Sequence, residues 1–353
     1  MKILKHHYFT VETIMEEVHQ KCDDLLLYCA FNSKVKSCSN MFTLIKTFDG
    51  FCCAFNYGAL NEGSMEEFLK DDDFEYYMDP TDEDMATKGI LVTSDSGRGS
   101  GLTVILDVEP GEYNYGSTLP AYGAKILIND PDDYPENTVI YKYALIGESL
   151  DIKVDPMLFQ SEEGIRNVDL NKRGCIFHDE ISLLHTDRYS TEVCLTECKM
   201  RSYAKYCGCI PYKYPKEKTS RICDFEDLEC LNIVRAYVVN RNMSCNPQCY
   251  VECRDQKYTI TTNVMPLLPN LYPRNITKDR NTSELIALQV YYAKSTCTCY
   301  KKMLLIDFNY FVATYGGVFS LSFGASIITL FEIIYLLISF LVKYLWRYIY
   351  NAN

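Results

Sequence analysis

From Phe308 to Phe331 the chain runs 24 residues without a charge, and after Glu332 ten more uncharged residues lead to Val342. About 20 apolar residues cross the hydrocarbon core of a bilayer, so this stretch reads as a membrane-spanning helix. Its make-up is unlike that of a plain anchor. Gly316, Ser320 and Gly324 recur every fourth residue, a spacing that lines one helix stripe with small side chains and lets another helix approach closely. Ser322, Ser326 and Thr329 add hydroxyls, and Glu332 adds a carboxylate at membrane depth. Intramembrane carboxylates are costly and face a pore or a partner. Chemistry alone leaves a pore lining and a single-pass anchor as open readings.

The rest of the chain belongs to an oxidising compartment. There are 17 Cys among 353 residues, far more than a reduced cytosolic protein carries, and they read as disulfides. Three glycosylation sequons agree with that, at Asn242, Asn275 and Asn281. The formal net charge of -12 argues against nucleic acid as a partner. About 300 residues outside the apolar segment suffice for one large domain or two ordinary ones. The N-terminus, MKILKHHYFTVETIMEEVHQK, has no apolar core of signal-peptide length. A body full of disulfides on a single C-terminal membrane segment needs a route to the lumen. The expectation is therefore that an N-terminal part lies upstream of this sequence.

Taken in order, IMEEVHQKCDDLLLYC predicts an amphipathic helix with Ile14, Val18, Cys22 and Leu25 or Leu26 on one face. Residues 62–88 are acidic and read as a solvated insertion. Leu102–Val108, Ala124–Ile128, Val139–Ile146 and Ser149–Val154 read as strands bounded by turn chemistry. Asp130, Asp132, Asp133 and Glu136 share one loop. With Pro131 and Pro135 present and no ligand spacing, a solvated turn is expected there rather than a calcium site. Thr186–Lys205 is helix-compatible, with Ser190 or Thr191 as the cap. Cys194 and Cys198 fall on one face of that helix. The following Cys-Gly-Cys has no second pair at zinc spacing, so disulfides are expected and no metal. KYTITTNV and Leu285–Tyr292 read as strands returning toward the membrane segment.

Several blocks together resemble one family. Arg173–Pro215, RGCIFHDE to YCGCIPYKYP, looks like the thumb signature of the degenerin/epithelial sodium channel family. CAFN…FDGFCCAFN, GAKILINDPDDYP (with Asn129 where His is usual) and GGVFSLSFGASIITLFEIIY are similar to further blocks of it, in the same order. The match runs from about residue 22 to the C-terminus and is nearest to the pickpocket branch.

The resemblance implies an amiloride-sensitive, voltage-independent sodium channel subunit. It implies a homo- or hetero-trimer in the plasma membrane, with a large glycosylated extracellular domain. Gly324, Ala325 and Ser326 would form the selectivity filter, an extended break in the second membrane helix. Ala313, Gly316 and Gly317 would form the outer pore and gate, and Glu332 the inner pore. Length fits such a break: the 39 residues Phe308–Trp346 would span about 58 Å as straight helix against a core of about 30 Å. Non-helical backbone at that depth is tolerated where it lines a cavity. The family's nested disulfides would be Cys175–Cys253, Cys194–Cys249, Cys198–Cys245, Cys207–Cys230 and Cys209–Cys223. The finger pair would be Cys29–Cys38. Cys52 would have its family partner upstream of this sequence, leaving it unpaired or joined to Cys22 or Cys53. Cys297 and Cys299 have no counterpart in the family pattern, and pairing with each other in poor geometry, with Cys22 or between chains stays open. The first membrane helix and a cytoplasmic His-Gly motif would also lie upstream.

The expected fold is α+β, a disulfide-rich extracellular domain of acid-sensing-channel type with palm, β-ball, finger, thumb and knuckle, plus one C-terminal membrane helix. Residues 1–300 would be extracellular. Within them 22–101 would be finger-like, 102–172 palm and ball, 173–253 thumb and 254–300 returning palm strands. Residues 301–346 would span the membrane and 347–353 would be cytoplasmic. No catalytic constellation or cofactor is expected, and sodium is the permeant ion. A regulatory, non-conducting relative and a single-pass adhesion or ligand-binding ectodomain are the competing functions. The gating stimulus is not legible.

Overall fold

The computed structural model describes residues 9–58, 90–113, 121–216, 220–239, 245–268 and 272–351, apart from 94, 187, 273, 278–279, 307 and 325. The acidic stretch 62–88 lies outside them. Two compact units are present: residues 1–161 with 169–301, and residues 162–168 with 302–353.

The first unit opens with helix α1 (Val11–Val18), capped by Thr10, whose hydroxyl accepts the Thr13 N–H. The long amphipathic helix expected here is broken. His19 is extended, a single helical turn covers Cys22–Leu25, and Leu26 already begins a strand. Val18, placed by periodicity on the buried face, is 67% exposed. The turn at Cys22 is instead bridged to Cys53 by a disulfide, and both cysteines pack on the main core.

Thirteen strands follow among the described residues: β1 (Leu26–Phe31), β2 (Lys34–Lys36), β3 (Phe42–Thr47), β4 (Gly50–Phe55), β5 (Leu102–Asp107), β6 (Gly123–Ile128), β7 (Ile140–Leu145), β8 (Glu148–Ser161), β9 (Cys175–Ile176), β10 (Val251–Glu252), β11 (Arg254–Pro266), β12 (Leu285–Tyr292) and β13 (Thr298–Lys302). One sheet has the order β11-β8-β12-β5-β1-β2, with β13 also paired to β8. Its pairs are antiparallel between β11 and β8, β12 and β5, and β5 and β1, whereas β12 runs parallel to β8. The 22–101 stretch expected to be finger-like contributes β1 and β2 to this sheet.

Continuous apolarity marks the centre of the sheet. In β12, Leu285, Ile286, Ala287 and Leu288 are all buried. Because side chains alternate between faces, Ile286 and Leu288 join Val104, Leu106, Leu150 and Ile152 in the main core. Leu285 and Ala287 pack with Ile105 and Leu267 on the other face. A strand covered on both sides loses the polar alternation of a half-exposed one. Hairpin β6–β7 covers the main face through Ala124, Ile126 and Ala144. β8 and β11 run well beyond the stretches legible as strands, pairing in register from Glu148↔Pro266 to Gln160↔Arg254.

Beside the sheet are two further helices, α2 (Thr191–Cys207) and α3 (Leu228–Val239). Of the two capping candidates, Ser190 is the N-cap; Gly208 ends α2 in the left-handed conformation at φ 66, which glycine adopts without a Cβ clash. The second unit holds the turn Glu163–Asn167, whose preceding Glu162 N–H donates to the Lys302 carbonyl at 2.9 Å. It continues into α4 (Phe308–Phe323) and α5 (Ile327–Asn351).

Candidate pore segment and disulfide-braced region

The apolar C-terminal segment is two helices. α4 ends where the Gly324 N–H donates to the Ser320 carbonyl at 2.9 Å, and Gly324 itself turns left-handed at φ 61. A residue with a Cβ is strained there by about 1–2 kcal/mol. Two residues on, Ser326 caps α5. The Thr329 N–H donates to Ser326 Oγ at 3.3 Å, and the Ser326 N–H donates back to Thr329 Oγ1 at 3.4 Å. The Leu330 N–H then takes the Ser326 carbonyl at 3.2 Å and the ladder resumes. A glycine stop followed by a serine start thus interrupts the segment by local chemistry. Ala325 lies outside the described residues.

Ala313, Gly316 and Gly317 are on α4, and Glu332 is on α5, about 9 Å along that helix from its Ser326 cap at 1.5 Å per residue. Within one chain, a Cβ at Gly316, Gly317 or Gly324 would meet nothing within 4 Å beyond its chain neighbours and its own helix backbone. Residues Ile327–Arg347 are long and apolar enough to cross a membrane. Large apolar side chains there are bare, Ile327 at 74% and Phe331 at 66%. Such a surface is stable only against lipid or protein.

The cysteine-rich region is held by five bridges: Cys175–Cys253, Cys194–Cys249, Cys198–Cys245, Cys207–Cys230 and Cys209–Cys223. Cys194 and Cys198, one helical turn apart on α2, take Cys249 and Cys245, while Cys207 at its end takes Cys230 of α3. Cys29–Cys38 closes next to β1. Asp227 lies near Cys209 and Cys223, but both sulfurs are consumed in their disulfide. Cys52 is free. It sits on the opposite face of β4 from Cys53, against Thr47 Oγ1 at 3.3 Å, and burial pushes its thiol up. Cys297 and Cys299 are free and exposed.

The acidic loop 130–136 is not a solvated turn. Asp132 is 6% exposed and Glu136 2%. Arg188 pairs with Asp132 at 2.7 Å, Lys199 of α2 with Glu136 at 2.7 Å, and the Ser190 hydroxyl donates to Asp133. Tyr134 is buried with Tyr203 and Tyr214 against α2, and its hydroxyl donates to the Lys213 carbonyl. The charges that neutralise this loop lie more than 50 residues away in sequence, so no local pattern announced its burial. Asn129 braces the turn from inside, its Nδ2 donating to the Asp130 and Asp133 carbonyls at 2.8 and 3.2 Å.

The β3–β4 turn meets the same junction. The Phe48 N–H donates to the Pro135 carbonyl, and Lys213 Nζ donates to the Phe48 carbonyl at 3.1 Å while lying 3.7 Å above its ring. Burial pulls Lys213 down to about 8. Burial raises Asp133 to about 7 despite the Ser190 hydrogen bond, and raises Glu252 to about 8, with Asp133 adding repulsion. Opposed to these, Glu197 is lowered overall by His185 and by the Leu184 and His185 N–H groups, against the cost of its burial.

Of the three sequons, Asn242 lies outside the described residues. Asn275 is in a short helix, Arg274–Thr277. Asn281 is exposed before a turn whose Ser283 N–H it accepts.

Comparison with known proteins places this architecture. Pickpocket protein 28 of Drosophila melanogaster is 27% identical over 353 residues, covering 92% of this chain and 57% of its own length. Sodium channel protein Nach of the same organism is 26% identical over 328 residues, covering 92% and 60%. Epithelial sodium channel subunit gamma of Xenopus laevis is 25% identical over 265 residues, covering 69% and 39%. The chain thus spans under two thirds of the length of these relatives. The model of one family, described as amiloride-sensitive sodium channel, matches residues 2–336, and the chain belongs to that family.

Proposed function

We propose that this chain is a subunit of a voltage-independent, sodium-selective cation channel of the plasma membrane, assembled as a trimer. The observation that carries the reading is the interruption between Gly324 and Ser326 inside an apolar segment. Backbone that leaves the helix at membrane depth needs a water-filled or protein-lined cavity. In this reading Gly324, Ala325 and Ser326 form the selectivity filter, where a tight waist and backbone carbonyls meet the ion. Ala313, Gly316 and Gly317 form the closing outer pore, and Glu332 attracts cations below the filter. The disulfide-braced region receives the stimulus, and Asn242, Asn275 and Asn281 carry glycans. Sodium is the only small ligand the reading requires.

Expression of the full-length chain in oocytes tests this. An amiloride-sensitive sodium current is expected, with its sodium-to-potassium permeability ratio lowered by Ser326→Ala and Gly324→Ala. A current whose selectivity ignores both substitutions would remove these residues from the filter. No current, with the chain alone or with related subunits, would remove the conducting role.

A further inference from the structure

Fourteen of the cysteines are joined in seven disulfides, yet two exposed thiols, Cys297 and Cys299, stay free two residues apart. Cys299 lies in β13 and Cys297 just before it. All five residues of β13 are exposed, and it pairs with β8 on one side. Among the described residues β13 pairs with β8 alone.

The two thiols are poorly placed to bridge one another. Residues i and i+2 of an extended chain are about 6.6 Å apart on the same face, while bridged Cβ atoms lie about 3.8 Å apart. The other described free cysteine, Cys52, lies in β4 on the face packed with Ile45 and Tyr57. An oxidising compartment does not favour two exposed thiols side by side.

We propose that Cys297 and Cys299 join copies of this chain covalently, Cys297 of one subunit to Cys299 of the next. The proposal rests on the trimeric reading above. One thiol per subunit cannot close a three-membered ring, because an odd thiol is left over. Two at adjacent positions can, since a head-to-tail contact repeated by a three-fold rotation pairs every one of them. Each link forms by exchange with a donor disulfide of a secretory-pathway oxidoreductase. Two cysteine thiols lose two electrons and two protons, and the donor disulfide takes them up to become a dithiol.

The test is a non-reducing gel of the full-length chain, expressed alone and quenched with N-ethylmaleimide. Bands at two and three times the monomer mass are expected, collapsing to monomer with dithiothreitol. C297S and C299S should each run as monomer. Their co-expression should restore the two-fold band only, and C52S should leave the ladder unchanged. The peptide Ser295–Lys301 carries both cysteines, so the closed ring releases three copies joined by disulfides. That readout holds even where a variant fails to reach the surface. The same peptide as a single copy two hydrogens lighter, two maleimide adducts on the unreduced chain, or a ladder that survives C297S would each overturn the proposal. Amine cross-linking of the C297S/C299S double variant separates the two ideas. A cross-linked trimer without a disulfide ladder in the wild type removes the covalent ring and keeps the assembly, and no oligomer in either sample removes both.

Discussion

Ile286 of β12 and Glu136, paired with Lys199 of α2, are both sealed from solvent, and different physics keeps them there. Around Ile286 the neighbours are apolar on both faces of the sheet, and the stabilisation is that of removing hydrocarbon from water, about 1.5–3 kcal/mol for each large side chain. Around Glu136 the neighbours are Lys199, the buried tyrosines Tyr134, Tyr203 and Tyr214, and a loop of carboxylates. A buried ion pair gives little net stability, but losing one partner is expensive. That region is instead closed by five disulfides, which lower the entropy of the unfolded chain. The central strands β5, β8 and β12, which carry no cysteine, should therefore respond less to reductant and pH than the helical region.

The comparison breaks most sharply at the disulfides. Removing Cys194–Cys249 and Cys198–Cys245 together, as a C194S/C198S/C245S/C249S variant, should cost about 2–5 kcal/mol per bridge. Amide-exchange protection should vanish from α2 and α3 while β5, β8 and β12 keep theirs. Equal loss in both regions would show a single cooperative unit. Next in size, Lys199→Met strands the Glu136 carboxylate and should destabilise by about 3–5 kcal/mol, with most of the loss recovered by adding Glu136→Gln. Leu288→Ala, in the apolar half, should cost about 2–5 kcal/mol with no pH dependence. A denaturation series on each variant in detergent at two pH values reads all of these.

A smaller effect sharpens the contrast with pH. Asp133 and Glu252 bind protons more tightly in the folded state than in the unfolded chain. Between the ordinary carboxylate range, about 4, and the folded values near 7 and 8, the native state holds the extra protons, so its stability falls as pH rises. The melting of α2 should drop from pH 5 to pH 8 and then level, and Asp133→Asn should flatten the slope. Glu197 works in reverse, its stabilisation being lost only as pH falls below the ordinary range. The smallest expected change is Ser190→Ala, which loses the cap of α2 and the donor to Asp133, at about 1 kcal/mol.

The two regions were also unequally legible. β12 and β5 were visible as strands because an apolar run reports burial directly. α1 misled, since its apolar spacing continues past His19 while Cys22 is tied to Cys53 and the backbone changes to a strand at Leu26. The loop 130–136 looked solvated because charge and proline signal exposure wherever no partner is in view. Its partners, Arg188 and Lys199, arrive only with the packed helix.

The sequence alone determined what local chemistry can set: an apolar segment of membrane length with small residues at Gly316, Ser320 and Gly324, the central strands, and a cysteine order resembling one family. Tertiary structure decided what depends on residues far apart meeting. It joined Cys22 to Cys53 and set Cys52 on the opposite face, because adjacent residues of a strand point to opposite sides. It buried Asp132 and Glu136, because Arg188 and Lys199 from a distant segment pair with them, and a serine hydroxyl binds Asp133 beside them. It also left Cys297 and Cys299 exposed at β13, a placement that spacing between cysteines could not express.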